Sequence, residues 1–347
     1  MSSPLRLAVL DQSPISEGAT GADALRSTID LARLAEELGY VRYWLAEHHG
    51  SPMLACAAPE ILIGAVAAAT RELRVGSGGV MLPHYSPFKV AETFSVLGGL
   101  YGDRIDLGIG RAPGSDLETI YALQRDRRQL LPDDFTEQVG ELLAYFEDGF
   151  PAEHTFKRLA RLPGAPGTAD VWLLGSSPQS AVRAAGLGLP YSVADFINPT
   201  AGMCGQLYRE RFTPSRRRAQ AEVSVAVGVV CAETRKEAER LASSWRMAIT
   251  LAGRNQFGPL PAADRAVEFL RGAPDPEGFG GRRVVVGPPG SVRSRLQEIA
   301  GEYGADELMI LTMTHDHAAR RRSYELLADE FKLDRSAGPR EPAAATR

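Results

Sequence analysis

Residues 5–49 read LRLAVLDQSPISEGATGADALRSTIDLARLAEELGYVRYWLAEHH. An apolar run, LRLAVL, is too short for a helix and dense enough for a buried strand. Leu25, Ile29, Leu31, Leu34, Ala35 and Leu38 then fall on one face at a spacing of 3.6, so Ala22–Leu38 is a helix, stopped by Gly39. A second apolar run, Tyr40–Ala46, follows at once. Strand, helix, strand with short joints is the unit of a parallel sheet with right-handed crossovers. An open doubly wound sheet would place GxGxxG after the first strand, and none stands there.

The alternation continues outward. Strand-like runs recur at Leu73–Leu82, Ile105–Ile109, Val171–Leu174, Tyr191–Phe196, Val223–Cys231 and Glu307–Thr312. Helical patterns lie between them, near residues 58–70, 87–100, 135–146, 179–186, 201–212, 235–251 and 291–303, with a last one at 317–331. Ser86-Pro87 reads as an N-cap and first helical residue, and Asp316 as the cap of the last helix. The stretch after Ile109 and residues 252–285, where Gly and Pro are frequent, read as irregular. Eight strands with helices between them predict a closed (β/α)8 barrel, one domain over 1–335, with a disordered tail at 336–347.

Composition narrows the function. A chain of 347 residues, 44% apolar and 24% charged, can bury a large core without staples. A net charge of −4 supplies no basic field for nucleic acid. Three distant cysteines make neither a disulfide framework nor a Cys-rich zinc site. With no long apolar span and no signal-peptide pattern at the start, a cytoplasmic, non-membrane protein is expected.

Barrel chemistry gathers where strands end and loops begin. Five of the six histidines (His48, His49, His84, His315, His317) lie at strand ends, which suggests a functional cluster. Neighbours in an extended segment face opposite ways, so if Trp44 and Ala46 point inward, His48 shares their face at the barrel mouth. There it can serve as acid or base; the plainer alternative is a loop histidine held by Glu47. Zinc needs three or four converging ligands, and the histidine spacing does not supply them, so no metal is expected. Gly175-Ser176-Ser177-Pro178-Gln179-Ser180 joins a strand to a helix, and N–H groups with serine hydroxyls suit a phosphate. Arg111, closing the adjacent strand, is a charge-assisted partner. Ser177 and Ser180 could equally be ordinary helix caps. At Gly76-Ser77-Gly78-Gly79 the wall is nearly bare, and a flat ring could lie against it.

Three segments, YWLAEHH at 43–49, LRVGSGGVMLPHYSP at 73–87 and DRIDLGIGRAPGSD at 103–116, resemble the bacterial luciferase-like flavin-dependent oxidoreductases, in the single-chain branch with a Glu-His-His motif. The resemblance runs through residues 5–335 and implies a TIM barrel that binds FMN at the strand ends. It implies a monooxygenase: reduced FMN comes from a separate NAD(P)H-dependent flavin reductase, dioxygen adds to give a hydroperoxyflavin, and a small organic substrate is oxidised. Carried over by position, His48 is the catalytic imidazole. Gly78 and Gly79 form a bulge with a cis peptide under the flavin ring. Arg111, Ser176, Ser177 and Ser180 meet the phosphate. Gly110 stands where luciferase α chains carry a reactive cysteine, and Ser176 where they carry a glutamate. A homodimer through helices near the second and third strands is implied, and Ala57, Ala58, Ala65, Ala68 and Ala69 would permit close approach. Residues 252–285 correspond to the family's mobile active-site loop. The rival readings are a deazaflavin-dependent hydride-transfer enzyme and a non-catalytic flavin-binding protein.

Overall fold

The short apolar runs are strands because both of their faces are covered: side chains alternate between an inner cluster and the helical layer outside. In the computed structural model, which describes residues 5–111, 117–124, 134–159, 161, 169–273 and 278–335, they form β1 (Arg6–Asp11), β2 (Arg42–Leu45), β3 (Arg74–Met81), β4 (Ile105–Gly110), β5 (Asp170–Gly175), β6 (Tyr191–Ala194), β7 (Val223–Cys231), β8 (Val284–Gly287) and β9 (Glu307–Leu311). Every pairing is parallel. Strands β1 to β7 pair in order. β9 then closes the ring, with Leu308 opposite both Leu7 of β1 and Val225 of β7. The result is the predicted eight-stranded barrel.

Helices lie between the strands: α1 (Gly21–Glu37), α2 (Pro59–Ala69), α3 (Pro87–Tyr101), α4 (Leu117–Leu123), α5 (Phe135–Glu147), α6 (Pro178–Gly186), α7 (Gly202–Arg211), α8 (Arg235–Ala252), α9 (Ala263–Leu270), α10 (Pro289–Tyr303) and α11 (His317–Phe331). α1 opens on a capping box between Thr20 and Asp23 and buries Leu31, Leu34 and Ala35. Asp316 caps α11 as expected, accepting from the Ala319 N–H. Ser86 sits at the cap of α3, but its side chain makes no capping bond; Pro87 at the first turn suffices to start that helix.

Two expectations are corrected. Residues 252–285 are not simply irregular: they contain α9 and end in β8. β7 is nine residues long, and its outer half, Gly228–Cys231, pairs with Val284–Gly287. A four-residue strand with one partner is too short for periodicity to reveal. Likewise α4 lies in the stretch after β4 that reads as structureless. The tail at 336–347 lies outside the described residues.

Inside the ring the packing is layered. Arg42 is buried near one end, between Glu307 (3.2 Å) and Asp106, which also accepts from Trp44 Nε1 at 3.0 Å. Its guanidinium lies 4.6 Å from the Trp172 ring centre. Above it Ala8, Leu10, Trp44, Trp172, Ala226 and Met309 belong to one buried cluster, with the two indoles edge to face at 5.4 Å. This plug closes the barrel from below, so the strand ends can hold a cavity above it.

Candidate active site

The end of β2 decides the site. Alternation does turn Trp44, Ala46 and His48 toward one cavity, of about 630 Å³. Glu47 points the other way and is fully buried. Its carboxylate accepts from the Met81 N–H (3.0 Å) and the Tyr85 hydroxyl (2.9 Å) and holds His49 Nε2 at 2.6 Å. Glu47 thus ties the end of β2 to the end of β3. It holds His49, not His48.

His48 is fixed through its backbone, whose N–H donates to the Cys56 carbonyl at 2.9 Å. Its Nδ1 is buried and makes no well-formed hydrogen bond. Burial disfavours the charged ring most; the Ala46 carbonyl opposes this, while His49 and Arg282 reinforce it, and the pKa falls from 6.5 to about 4. The imidazole is therefore neutral at physiological pH, and it lines the cavity.

The other strand-end histidines do not join it. His49 packs edge to face on His84 at 6.0 Å. His315 Nε2 meets the Glu17 carbonyl (3.1 Å), and His317 Nε2 meets Asp30 (2.8 Å). Clustering at strand ends was thus a misleading signal: of the five, only His48 reaches the cavity. Among the described residues no group of three or more His, Cys, Asp or Glu could hold a metal ion.

Gly78 and Gly79 form one wall. Their peptide is cis, and the β3–β4 register slips between Gly78 and Val80. No side chain fits at either: a Cβ on Gly78 would lie 2.7 Å from the Leu10 side chain, and one on Gly79 would lie 2.8 Å from the Gly108 carbonyl oxygen. The wall is flat backbone because its neighbours leave no other choice.

The far end of the cavity is polar. Arg111, Ser176, Ser177 and Ser180 all line it, as read from sequence. Ser177 caps α6 in a full capping box with Ser180. Ser180 is buried, donates to the Ser177 carbonyl at 2.7 Å and shares a hydrogen bond with Tyr191 at 2.8 Å. The two serines therefore do serve as helix caps. Pro178 has no N–H and that of Ser180 goes to Ser177, so the Gln179 N–H remains as the first-turn donor. Sequence reasoning missed Gln12 and Arg183, and gave Gln179 no role of its own within the Gly175–Ser180 turn; all three line the cavity. Arg183 stands three residues after Ser180, on the same helical face, and that spacing could have found it. Leu174, Phe196, Met309 and the Trp44 ring make the middle apolar.

The chain belongs to the luciferase-like monooxygenase family, whose sequence profile matches residues 5–307. It is 36% identical to the N-acetyl-S-alkylcysteine monooxygenase of Bacillus subtilis, covering 94% of this chain and 98% of that protein. The crystal structure of apo-MsnO8 superposes with a TM-score of 0.88 at 43% identity, covering 95% of this chain and 98% of that one. The same fold at 20% identity, with a TM-score of 0.69 and coverage of 95% and 98%, is that of the oxygenating constituent of 3,6-diketocamphane monooxygenase from Pseudomonas putida, solved with FMN. The protein is an oxidoreductase, and no helix among the described residues is long and apolar enough to cross a membrane.

Proposed function

We propose that the cavity binds reduced FMN and that the chain uses it, with dioxygen, to oxidise a small organic substrate. One observation carries this reading: a single cavity joins a bare peptide wall, a neutral histidine and an anion-ready end. Two arginines and one histidine line it, and no carboxylate does among the described residues. That lining fits a planar ring with a phosphorylated tail.

Arg111, Ser176 and the opening of α6 would hold the phosphate, the last through the Gln179 N–H. Gly78 and Gly79 would support the ring. Bound there, reduced FMN supplies the electrons that activate dioxygen. His48 would hydrogen-bond at the reacting face and hold or move one proton there, without bringing a positive charge. The apolar middle excludes water, which favours oxidation of substrate over loss of the oxidant as peroxide. Those walls suit a substrate with an apolar body. A thioether is a reasonable first candidate, because the B. subtilis relative is named for an S-alkylcysteine.

Reduced FMN would come from a separate NAD(P)H-dependent reductase. The homodimer would form through α2 and α3, whose outer faces expose Ile61 (74%) and Leu100 (68%) beside Ala57, Ala65 and Ala68. Anaerobic titration with reduced FMN and, separately, with a reduced deazaflavin tests the cofactor. Tight binding of FMN alone is expected. Preference for the deazaflavin would move the protein to hydride transfer, and binding without turnover of any substrate would make it a flavin carrier.

A further inference from the structure

The fold treats two adjacent arginines before β8 in opposite ways. Arg283 is held on three sides: its Nε lies 3.4 Å from Asp195, one terminal nitrogen 2.7 Å from Glu302, and the other donates to the Pro199 carbonyl at 2.7 Å. Asp195 and Pro199 flank Phe196 and Ile197, which line the cavity, so Arg283 pins its segment to the barrel mouth beside β6. A second anchor is Phe279, buried in the cluster that holds Trp44, Ala46, Phe196 and Met309. Between the anchors the chain makes one tight turn. The Arg282 N–H donates to the Phe279 carbonyl at 3.1 Å, and Gly280 and Gly281 have φ of 59° and 78°. Those are the left-handed values that such a turn needs at both central positions.

Arg282 is the side chain this turn presents. It is exposed and makes no ion pair or side-chain hydrogen bond among the described residues. Its charge reaches the His48 ring and helps to keep it neutral. The cavity that His48 lines has apolar walls and, among the described residues, no carboxylate. A cation at the mouth of such a cavity, uncompensated by an acid, attracts and orients anions.

We propose that Arg282 sets substrate choice: it pairs with the carboxylate of a small organic acid whose apolar, oxidisable end enters the cavity toward His48. This rests on the reading of the cavity as a site of oxidation and adds the class of molecule oxidised. Guanidinium and carboxylate match as a two-bond fork, and no side-chain donor of Arg282 is taken up inside the described chain.

The test uses (benzylthio)acetate and its methyl ester, which share a thioether and an apolar body and differ by one charge. Both are titrated calorimetrically, without oxygen and with reduced FMN bound, into the wild-type chain and into Arg282→Gln. The wild type should bind the acid about tenfold more tightly than the ester, as for one charge-assisted contact. In the variant the acid should lose that tenfold, while the ester and FMN each stay within about twofold. Arg282→Lys should keep part of the preference. Added salt should narrow the gap between acid and ester in the wild type and leave the variant unmoved, because a charge at the mouth acts through solvent. Equal binding of acid and ester by the wild type, or binding of neither, overturns the proposal. So does an equal loss of both, or a matching loss of FMN, in the variant. In each of these cases FMN binding by the wild type leaves the flavin reading standing; a wild type that binds no FMN brings down both.

Discussion

At the scale of the residue, His48 is the proposed chemical centre, and its environment gives it a definite charge. Folding lowers its pKa from 6.5 to about 4, chiefly through burial. Between those values the unfolded chain binds a proton that the folded chain does not, so this group's contribution to stability declines as pH falls from about 6.5 to about 4. Denaturant melts of wild type and His48→Gln across that range should converge as pH drops, because the variant lacks this loss. If the two curves stay parallel, the ring is not buried neutral. In turnover assays His48→Ala should lose most of its rate, by about 100-fold or more, while binding FMN as well as the wild type; that separates proton handling from cofactor binding. The histidine was legible in the sequence because strand alternation alone set its direction. Its neighbours were not. Nothing in the spacing says that Glu47 serves Tyr85 and the Met81 N–H, since those partners come from β3 and the turn after it.

At the scale of the element, the site depends on how strand ends are joined. Glu47→Ala would remove three contacts at once and leave the half-buried Met81 N–H without its carboxylate. A stability loss of about 2–4 kcal/mol is expected, measured by urea unfolding. A loss below about 1 kcal/mol would mean that the β2–β3 tie is incidental. Gly175 plays the matching part for α6. A Cβ there would lie 2.3 Å from Ser180 Oγ and 2.5 Å from its Cβ, so Gly175→Ala must push the helix start away from the strand. FMN should bind less tightly to that variant than riboflavin binding alone would suggest, because the displaced element is the one at the proposed phosphate end. At this scale the sequence was a good guide to long elements and a poor one to short ones. The last helix, at 317–331, matches its predicted bounds. Four-residue β8 and seven-residue α4 escaped, since neither completes enough periods to stand out.

At the scale of the whole molecule, closure of the ring is what brings distant segments to one mouth. His48 comes from the segment after β2, Gly78 and Gly79 from β3, Arg111 from just past β4, Ser176 and Ser177 from the β5–α6 turn, and Ser180 from the first turn of α6. The order of these pieces along the chain was visible, and so was the barrel. The contact of Arg183 on α6 with Thr136 and the Phe135 ring on α5 was not, because it needs two helices side by side. The exposed apolar faces of α2 and α3 belong to this scale too. The double variant Ile61→Glu, Leu100→Glu should sediment as a monomer where the wild type sediments as a dimer; a monomeric wild type would remove that part of the account.

The central claim is that this cavity directs the reaction of reduced FMN with dioxygen. The direct measurement is to mix the anaerobic complex of protein and reduced FMN with dioxygen, with no substrate present, and follow dioxygen uptake and hydrogen peroxide release together. The account predicts that peroxide appears well after dioxygen is consumed, and that His48→Ala shortens the delay. If peroxide rises in step with dioxygen loss, at the rate of free reduced FMN, the cavity does not control this chemistry and the claim fails.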